Sequence, residues 1–192
     1  MARSDTRARI IASARTLLRR QGYHATGLAQ IIEHSGAPRG SVYFLFPGGK
    51  EQIAVAAIAE WTVEFDRLVR EFRAEHGTAR AWVEAMAEHF ANDLRSSGYI
   101  EGLPITTITL DSVPTSAGLT VACRNAYDVW LTALTDGLLA YGEPAERADR
   151  LAKLMMASLE GAAVLCRAYQ STAPLDQIVP FVLDQLPTDS AV

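Results

Sequence analysis

Apolar residues recur every three or four positions along nearly the whole chain, a period that admits little besides packed helices. Ile10, Ile11, Ala14, Leu17 and Leu18 open the pattern, and Gly22 is placed to end it as a C-terminal cap. A short second helix over Leu28 to His34 puts Leu28, Ile31 and Ile32 on one face; Gly36 and Pro38 interrupt, and Arg39 to Phe46 is a third. After Pro47-Gly48-Gly49, Ala54, Ala57, Trp61, Phe65, Leu68 and Phe72 share a face, which predicts a long connecting helix. Trp82, Met86, Phe90 and Leu94 resume the period beyond Gly77, until Ser96-Ser97-Gly98 breaks it. Ile105-Thr106-Thr107-Ile108-Thr109 is rich in β-branched residues and has the composition of a strand, so helix is least expected there. Leu119 to Leu138 and Leu151 to Tyr169 predict two more long helices, the first ended by Gly142 and Pro144 and the second before Pro174. Leu175 to Leu186 predicts a last one that Pro180 should kink or shorten, and Pro187 to Val192 reads as a frayed tail.

Charge divides the chain in a way its total conceals. The net charge of −4 comes from 18 Lys and Arg against 22 Asp and Glu. The first fifty residues hold eight of the basic and two of the acidic ones, a surplus of six positive charges; the remainder carries an excess of ten negative charges. Such asymmetry fits a small module at 1–50 that meets a polyanion, joined to a larger body at 51–192 that does not. On charge alone, a solvated basic helix face reads the same. A chain of 192 residues buries roughly 70 % of its unfolded surface and needs no covalent staple. Its two cysteines, Cys123 and Cys166, form no CxxC pair and are expected as buried packing residues, with redox sensing the lesser alternative. The start at Met1 has no signal-peptide pattern and no apolar run nears the ~20 residues of a membrane span, so the expectation is a reduced cytoplasmic protein with no membrane partner.

Three short helices in a basic segment, the second and third joined by a tight glycine-containing turn, match a helix-turn-helix. The ordered residues are more specific: Gly22-Tyr23-His24-Ala25-Thr26, then Ile31, then Ser35-Gly36-Ala37-Pro38-Arg39-Gly40-Ser41-Val42-Tyr43-Phe44-Leu45-Phe46. This run resembles the signature of the tetracycline-repressor (TetR) family of bacterial one-component regulators. The continuation Pro47-Gly48-Gly49-Lys50-Glu51-Gln52, with Gly102-Leu103-Pro104-Ile105 further on, is similar to the branch holding repressors of lincomycin-type resistance genes. The resemblance implies an all-α fold: an N-terminal helix-turn-helix domain at 1–50, joined by a long helix to a helical effector-binding and dimerisation domain at 51–192. It implies as partners a double-stranded DNA operator, a small-molecule effector and a second copy of the chain.

The chemistry of each position follows. Gly27 is expected to cap the second helix, with Gln30 reaching back to its backbone N–H; relatives often carry Ser or Thr at this cap. Thr26 either sets its hydroxyl against a phosphate or serves the helix start alone. Arg39, opening the third helix, is the leading candidate for reading a guanine edge, a contact that discriminates by ~1–3 kcal/mol, with a phosphate as the alternative. Gly40 lets the backbone approach the duplex, Ser41 reaches a base or a phosphate, and Phe44 is placed to press on thymine methyls. Val42 and Phe46 are expected to pack inward. Tyr43 and Lys50 resemble the family's phosphate-contacting tyrosine and lysine; a solvated cation is the alternative for Lys50. Leu45, where relatives often have a polar residue, either shifts the sequence preference or packs on the long helix. Since so short a helix reads few bases, phosphates must supply most of the affinity, and two modules on a two-fold axis would demand a palindromic site.

In the body, the resemblance places a dimer bundle on the last two long helices, here Glu146 to Gln170 and Leu175 to Leu186. Its candidate residues are Leu154, Met155, Ala157, Leu159, Gly161, Ala162, Leu165, Ile178 and Val182, small side chains beside large ones. Trp61, Phe65, Trp82, Met86, Phe90, Tyr127 and Trp130, with His89 nearby, would each serve as core; as a set they suit an apolar cavity with a few polar handles. The resemblance assigns that cavity to a lipophilic effector that releases the DNA. No catalytic residue, metal ligand or cofactor emerges. Gly48-Gly49-Lys50 lacks the first glycine and the Ser or Thr of a phosphate loop, and GxSxG, HExxH and ExxH are absent. The chain reads as a ligand-responsive DNA-binding repressor and not an enzyme; a helical carrier or interaction protein with a merely solvated basic end is the competing reading.

Overall fold

The computed structural model describes residues 3–186, and every regular element among them is a helix. In chain order these are α1 (Arg3–Ala25), α2 (Leu28–Ser35), α3 (Arg39–Leu45), α4 (Gly49–Glu75), α5 (Ala79–Ser96), α6 (Pro104–Ser112), α7 (Ala117–Ala140), α8 (Ala145–Tyr169) and α9 (Ala173–Leu183). The expected frayed tail at Pro187 to Val192 lies outside the described residues. Two compact units form. One takes the described residues up to Thr62 together with Leu103–Ala126, the other Val63–Gly102 with the described residues from Tyr127 onward. Packing therefore groups α6 and the first parts of α4 and α7 with the basic segment, beyond the functional boundary at residue 50 that charge suggests.

In the first unit the core is drawn from every helix. Ile10, Ile11, Ala14 and Leu18 of α1, Ile31 of α2 and Val42 of α3 meet almost no solvent, as do Phe46, Ile53, Ala57 and Ile58. Ile105 and Ile108 of α6 are equally buried, which explains why the strand-like stretch is helical. Pro104 stands in the first turn, where a missing N–H costs nothing, and a three-residue step turns both isoleucines to one side. Burial against α1 thus overrides the weak β preference of the branched residues. Gly22 does not simply end α1: it adopts φ 78°, ψ −179°, a kink after which helical bonding resumes to Ala25.

In the second unit α8 packs on α9 and α5 on both. Trp82 of α5 is fully buried, its ring 5.7 Å from that of Tyr141 and set directly against Gly137 of α7. The Thr78 side chain caps α5 by accepting from the Ala81 N–H at 3.2 Å. Gln170 closes α8 in the left-handed conformation, φ 49°. Pro180 is accommodated inside α9, which ends at Leu183, three residues short of the expected Leu186.

Cys123 and Cys166 lie in the first and second units respectively, exposed by 2 % and 0 %. Burial pushes both thiols above their ordinary range, leaving them protonated and poorly nucleophilic at neutral pH. The native protein is therefore expected to react only slowly with iodoacetamide at pH 7.5, with both thiols labelling promptly once the chain is denatured. Rapid labelling of one native thiol would show that its helix opens.

Candidate functional site

Helix α3 alternates between core and surface. Val42, together with Phe46 just after the helix, is buried, while Arg39, Gly40, Tyr43 and Phe44 are exposed, Phe44 by 67 %. Pro38 caps α3, and Gly36 turns the chain out of α2 with φ 61°, its N–H bonding the Glu33 carbonyl. This packing sends the polar and aromatic stripe of α3 outward. A Cβ on Gly40 would meet nothing within 4 Å, so the backbone there is open to approach. Ser41 is half-buried at the edge of the stripe, as is Leu45.

Two expected roles change on the α2 side. Thr26 has no exposed surface: its hydroxyl donates to the Gly22 carbonyl at 2.7 Å and lies 3.4 Å from the Gln21 side-chain amide. A hydroxyl so enclosed is not presented to a phosphate, and Thr26 instead locks the chain between α1 and α2. Gly27 does cap α2, but no side chain closes the cap. Gln30 turns away from the Gly27 N–H because its Oε1 accepts from Gln21 Nε2 at 2.7 Å.

Lys50 stands at the start of α4. Its ammonium donates to the Tyr23 carbonyl at 2.9 Å and sits 4.0 Å from the centre of the Tyr23 ring. Burial pulls the ammonium pKa down and the nearby Asp111 carboxylate opposes that pull. An ammonium has three donors, so the bond to the Tyr23 carbonyl does not exhaust them.

The aromatic set of the body divides. A cavity of about 60 Å³ within the second unit is lined by Phe65, Met86 and Phe90 from the expected set, with Val83, Leu134, Met156 and Leu175 beside them. Met155, Leu159, Ile178 and Val182, expected at the dimer interface, also face this cavity. The remaining members pack elsewhere. Trp61 belongs to the first unit, 5.5 Å beneath the Arg15 guanidinium. Trp82 fills the core against Gly137, Trp130 is buried with its ring 4.6 Å from Phe65, and His89 sits edge-on to Phe72 and Phe90. Tyr127 donates its hydroxyl to Glu160 at 3.1 Å. Ser158 is the one polar residue in the cavity lining, and no charged residue contributes to it.

On α8 and α9 a second, open groove runs along Ala157, Gly161, Ala162, Leu165, Ile178 and Phe181. Of the residues expected at the dimer interface, Leu154, Leu165 and Ile178 are exposed within the single chain, whereas Ala162 and Val182 are largely covered. Val164, Tyr169 and Phe181 are large exposed apolar side chains that sequence reasoning missed, although Tyr169 follows Leu165 by four positions and Phe181 follows Ile178 by three. Ser158 and Ile178 border both the groove and the cavity. Among the described residues no three His, Cys, Asp or Glu cluster as metal ligands do, and no helix is long and apolar enough to cross a membrane.

An exposed recognition helix on a basic module, carried by a helical body with an apolar cavity, defines the class of helix-turn-helix transcriptional regulators. Residues 10–57 match the family described as bacterial regulatory proteins, tetR family, and residues 79–180 match the C-terminal domain of LmrA/YxaF-like transcriptional regulators. The chain belongs to the TetR family of transcriptional regulators, in the group with an LmrA/YxaF-like C-terminal domain. It is 31 % identical to the HTH-type transcriptional regulator LmrA of Bacillus subtilis over 97 % of this chain and 99 % of that one. It is 30 % identical to YxaF, an uncharacterised HTH-type transcriptional regulator of the same organism, over 90 % and 91 %. A TetR transcriptional regulator from Legionella pneumophila shares the fold with a TM-score of 0.83 at 19 % identity, covering 93 % of this chain and 96 % of that one.

Proposed function

We propose that this regulator binds a palindromic operator as a homodimer, represses from it, and is released by an uncharged lipophilic effector. The observation that carries the reading is the outward stripe of α3, where Arg39, Gly40, Tyr43 and Phe44 are exposed beside a buried Val42 and Phe46. Arg39 reads a base edge, Tyr43 and Lys50 hold phosphates, Phe44 meets thymine methyls, and Ser41 supports either. Thr26 and Gly27 shape the turn that presents α2. A basic first segment concentrates attraction on this face, and the acidic body discourages DNA from the others. The groove on α8 and α9 receives a second copy, since exposed side chains such as Leu165, Tyr169 and Phe181 form the contiguous apolar surface that a two-fold partner covers.

The cavity suits the effector. With one hydroxyl and no charge in its walls, it would bury a charged ligand without compensation. Its volume of about 60 Å³ is well below the ~150 Å³ of an engineered cavity that takes benzene. A larger effector must therefore displace the thioethers of Met86, Met155 and Met156, which are flexible enough to repack. The reading assigns no catalysis to the chain, and it works in the cytoplasm, where the DNA is.

Binding of the full-length protein to duplexes selected from its source genome tests this reading. Retention of a specific duplex well above a random one at moderate salt is expected. Arg39→Ala should relax sequence preference by ~1–3 kcal/mol at one base pair, whereas Lys50→Ala should weaken binding to all duplexes alike and lower the salt slope by about one. Failure of the wild-type protein to prefer any duplex would defeat the regulator reading, and equal effects of both substitutions would overturn the two roles.

A further inference from the structure

Asp111, in the last turn of α6, reaches a segment 88 positions earlier in the chain. Its Oδ2 accepts the Tyr23 N–H at 2.8 Å and lies 3.4 Å from the His24 N. The Asp111 carbonyl pairs with His24 Nε2 at 2.6 Å. These contacts depend on Gly22. Its φ of 78° turns the next two amides toward α6, and a Cβ at that position would stand 2.5 Å from the Asp111 carboxylate oxygen. The second of these amides, His24 N–H, shares its peptide with the Tyr23 carbonyl, which accepts from Lys50 at 2.9 Å, and the Tyr23 ring lies 4.0 Å from the same ammonium. One carboxylate from α6, the last turn of α1 beyond the Gly22 kink and one ammonium at the start of α4 thus form a continuous chain of contacts within the first unit.

The geometry points to Asp111 as a positioning residue for DNA binding. It fixes the turn at Tyr23 and His24 and thereby sets Lys50 where a phosphate can receive it. The assignment rests on the operator-binding reading above, and it adds a residue far from the recognition helix that controls the strength of the phosphate contact without choosing bases. Arg39, at the start of α3, is not among these contacts, so sequence preference and this phosphate contact are separable.

The test uses the full-length protein, its genome-selected duplex and a random duplex, with Asp111→Ala, Asp111→Asn, Lys50→Ala and the Asp111→Ala/Lys50→Ala pair titrated across salt. Asp111→Ala is expected to weaken binding to both duplexes about tenfold, to lower the salt slope by about one, and to leave the preference between them unchanged. Asp111→Asn keeps an oxygen that accepts the Tyr23 N–H and should bind within about threefold of wild type. In the Asp111→Ala background, Lys50→Ala should add little, because both changes remove the same contact. Asp111 is only half-buried, so its truncation should leave the thermal midpoint near that of wild type. Gly22→Ala, whose methyl expels the carboxylate without removing it, is a second route to the same loss of slope. Wild-type salt slope and affinity in Asp111→Ala, or a loss that is additive with Lys50→Ala, would overturn the assignment. Failure of the wild-type protein to prefer its selected duplex would instead overturn the regulator reading.

Discussion

Replacing Leu165 with aspartate is expected to abolish the proposed homodimer and to lower operator affinity about 10²–10⁴-fold, the advantage that two linked modules hold over one. Leu165 is 49 % exposed in the single chain and borders the groove on α8 and α9. A carboxylate there would be driven out of water when a second copy covers the groove, whose lining holds no Lys or Arg to receive it. The fold of the chain itself should be indifferent, since exposed substitutions shift stability by only ~0.5 kcal/mol. Light scattering and a thermal melt on the same sample separate the two effects: halved mass at unchanged melting temperature is the expected pair. Phe181→Ser should act in the same direction. A Leu165→Asp protein that remains a dimer would move the interface off this groove.

The second large effect is on stability, at Gly137. Exchanging a helix-interior glycine for alanine ordinarily gains about 0.5–1 kcal/mol. Here the new methyl would lie 2.9 Å from Cζ2 and 3.1 Å from Cζ3 of Trp82, with Cη2 closer still. The indole is fully buried and cannot swing into solvent, so the overlap must strain α5 against α7. Overpacking of this kind costs ~1–3 kcal/mol. Gly137→Ala should accordingly lower the melting temperature by roughly 5 °C, reversing the usual sign. Trp82→Leu alone should be destabilising through the volume it vacates, but Gly137→Ala added to it should cost much less than in the wild type. An unchanged melting temperature in Gly137→Ala would show that the Trp82 ring yields.

How far the sequence carries depends on how locally each feature is written. The three-helix module is local. Gly36, Pro38, the Val42 and Phe46 pair and the exposed Arg39, Tyr43 and Phe44 all lie within a dozen positions, and spacing alone separates inside from outside. Asp111 is the opposite case: nothing near it marks it as a partner of Tyr23, because the contact arises only when α6 lies on α1. The helical state of 105–109 is hidden for the same reason, since composition favours a strand and only the burial of Ile105 and Ile108 decides otherwise. Thr26 misleads by its company: a hydroxyl before a helix start suits a phosphate, but the kink at Gly22 offers a carbonyl inside the fold first. On α8 the period of the apolar residues is plain, yet it runs nearly all round the helix. Met155 and Leu159 turn to the cavity while Leu154 and Leu165 turn outward, a division that requires knowing what each side faces.

The alternation along α3 has a consequence for how such a protein changes over generations. Arg39, Gly40 and Phe44 are exposed and a Cβ added at Gly40 would meet nothing within 4 Å, so the residues proposed to face bases stand apart from those that hold the helix down. On the proposed roles, substitution at the outward positions would alter which sites are occupied while shifting folding by only ~0.5 kcal/mol. A duplicated copy of the gene can therefore drift to a new set of targets without passing through an unfolded intermediate sequence. The fold leaves recognition free to diverge while Val42 and Phe46 stay in place.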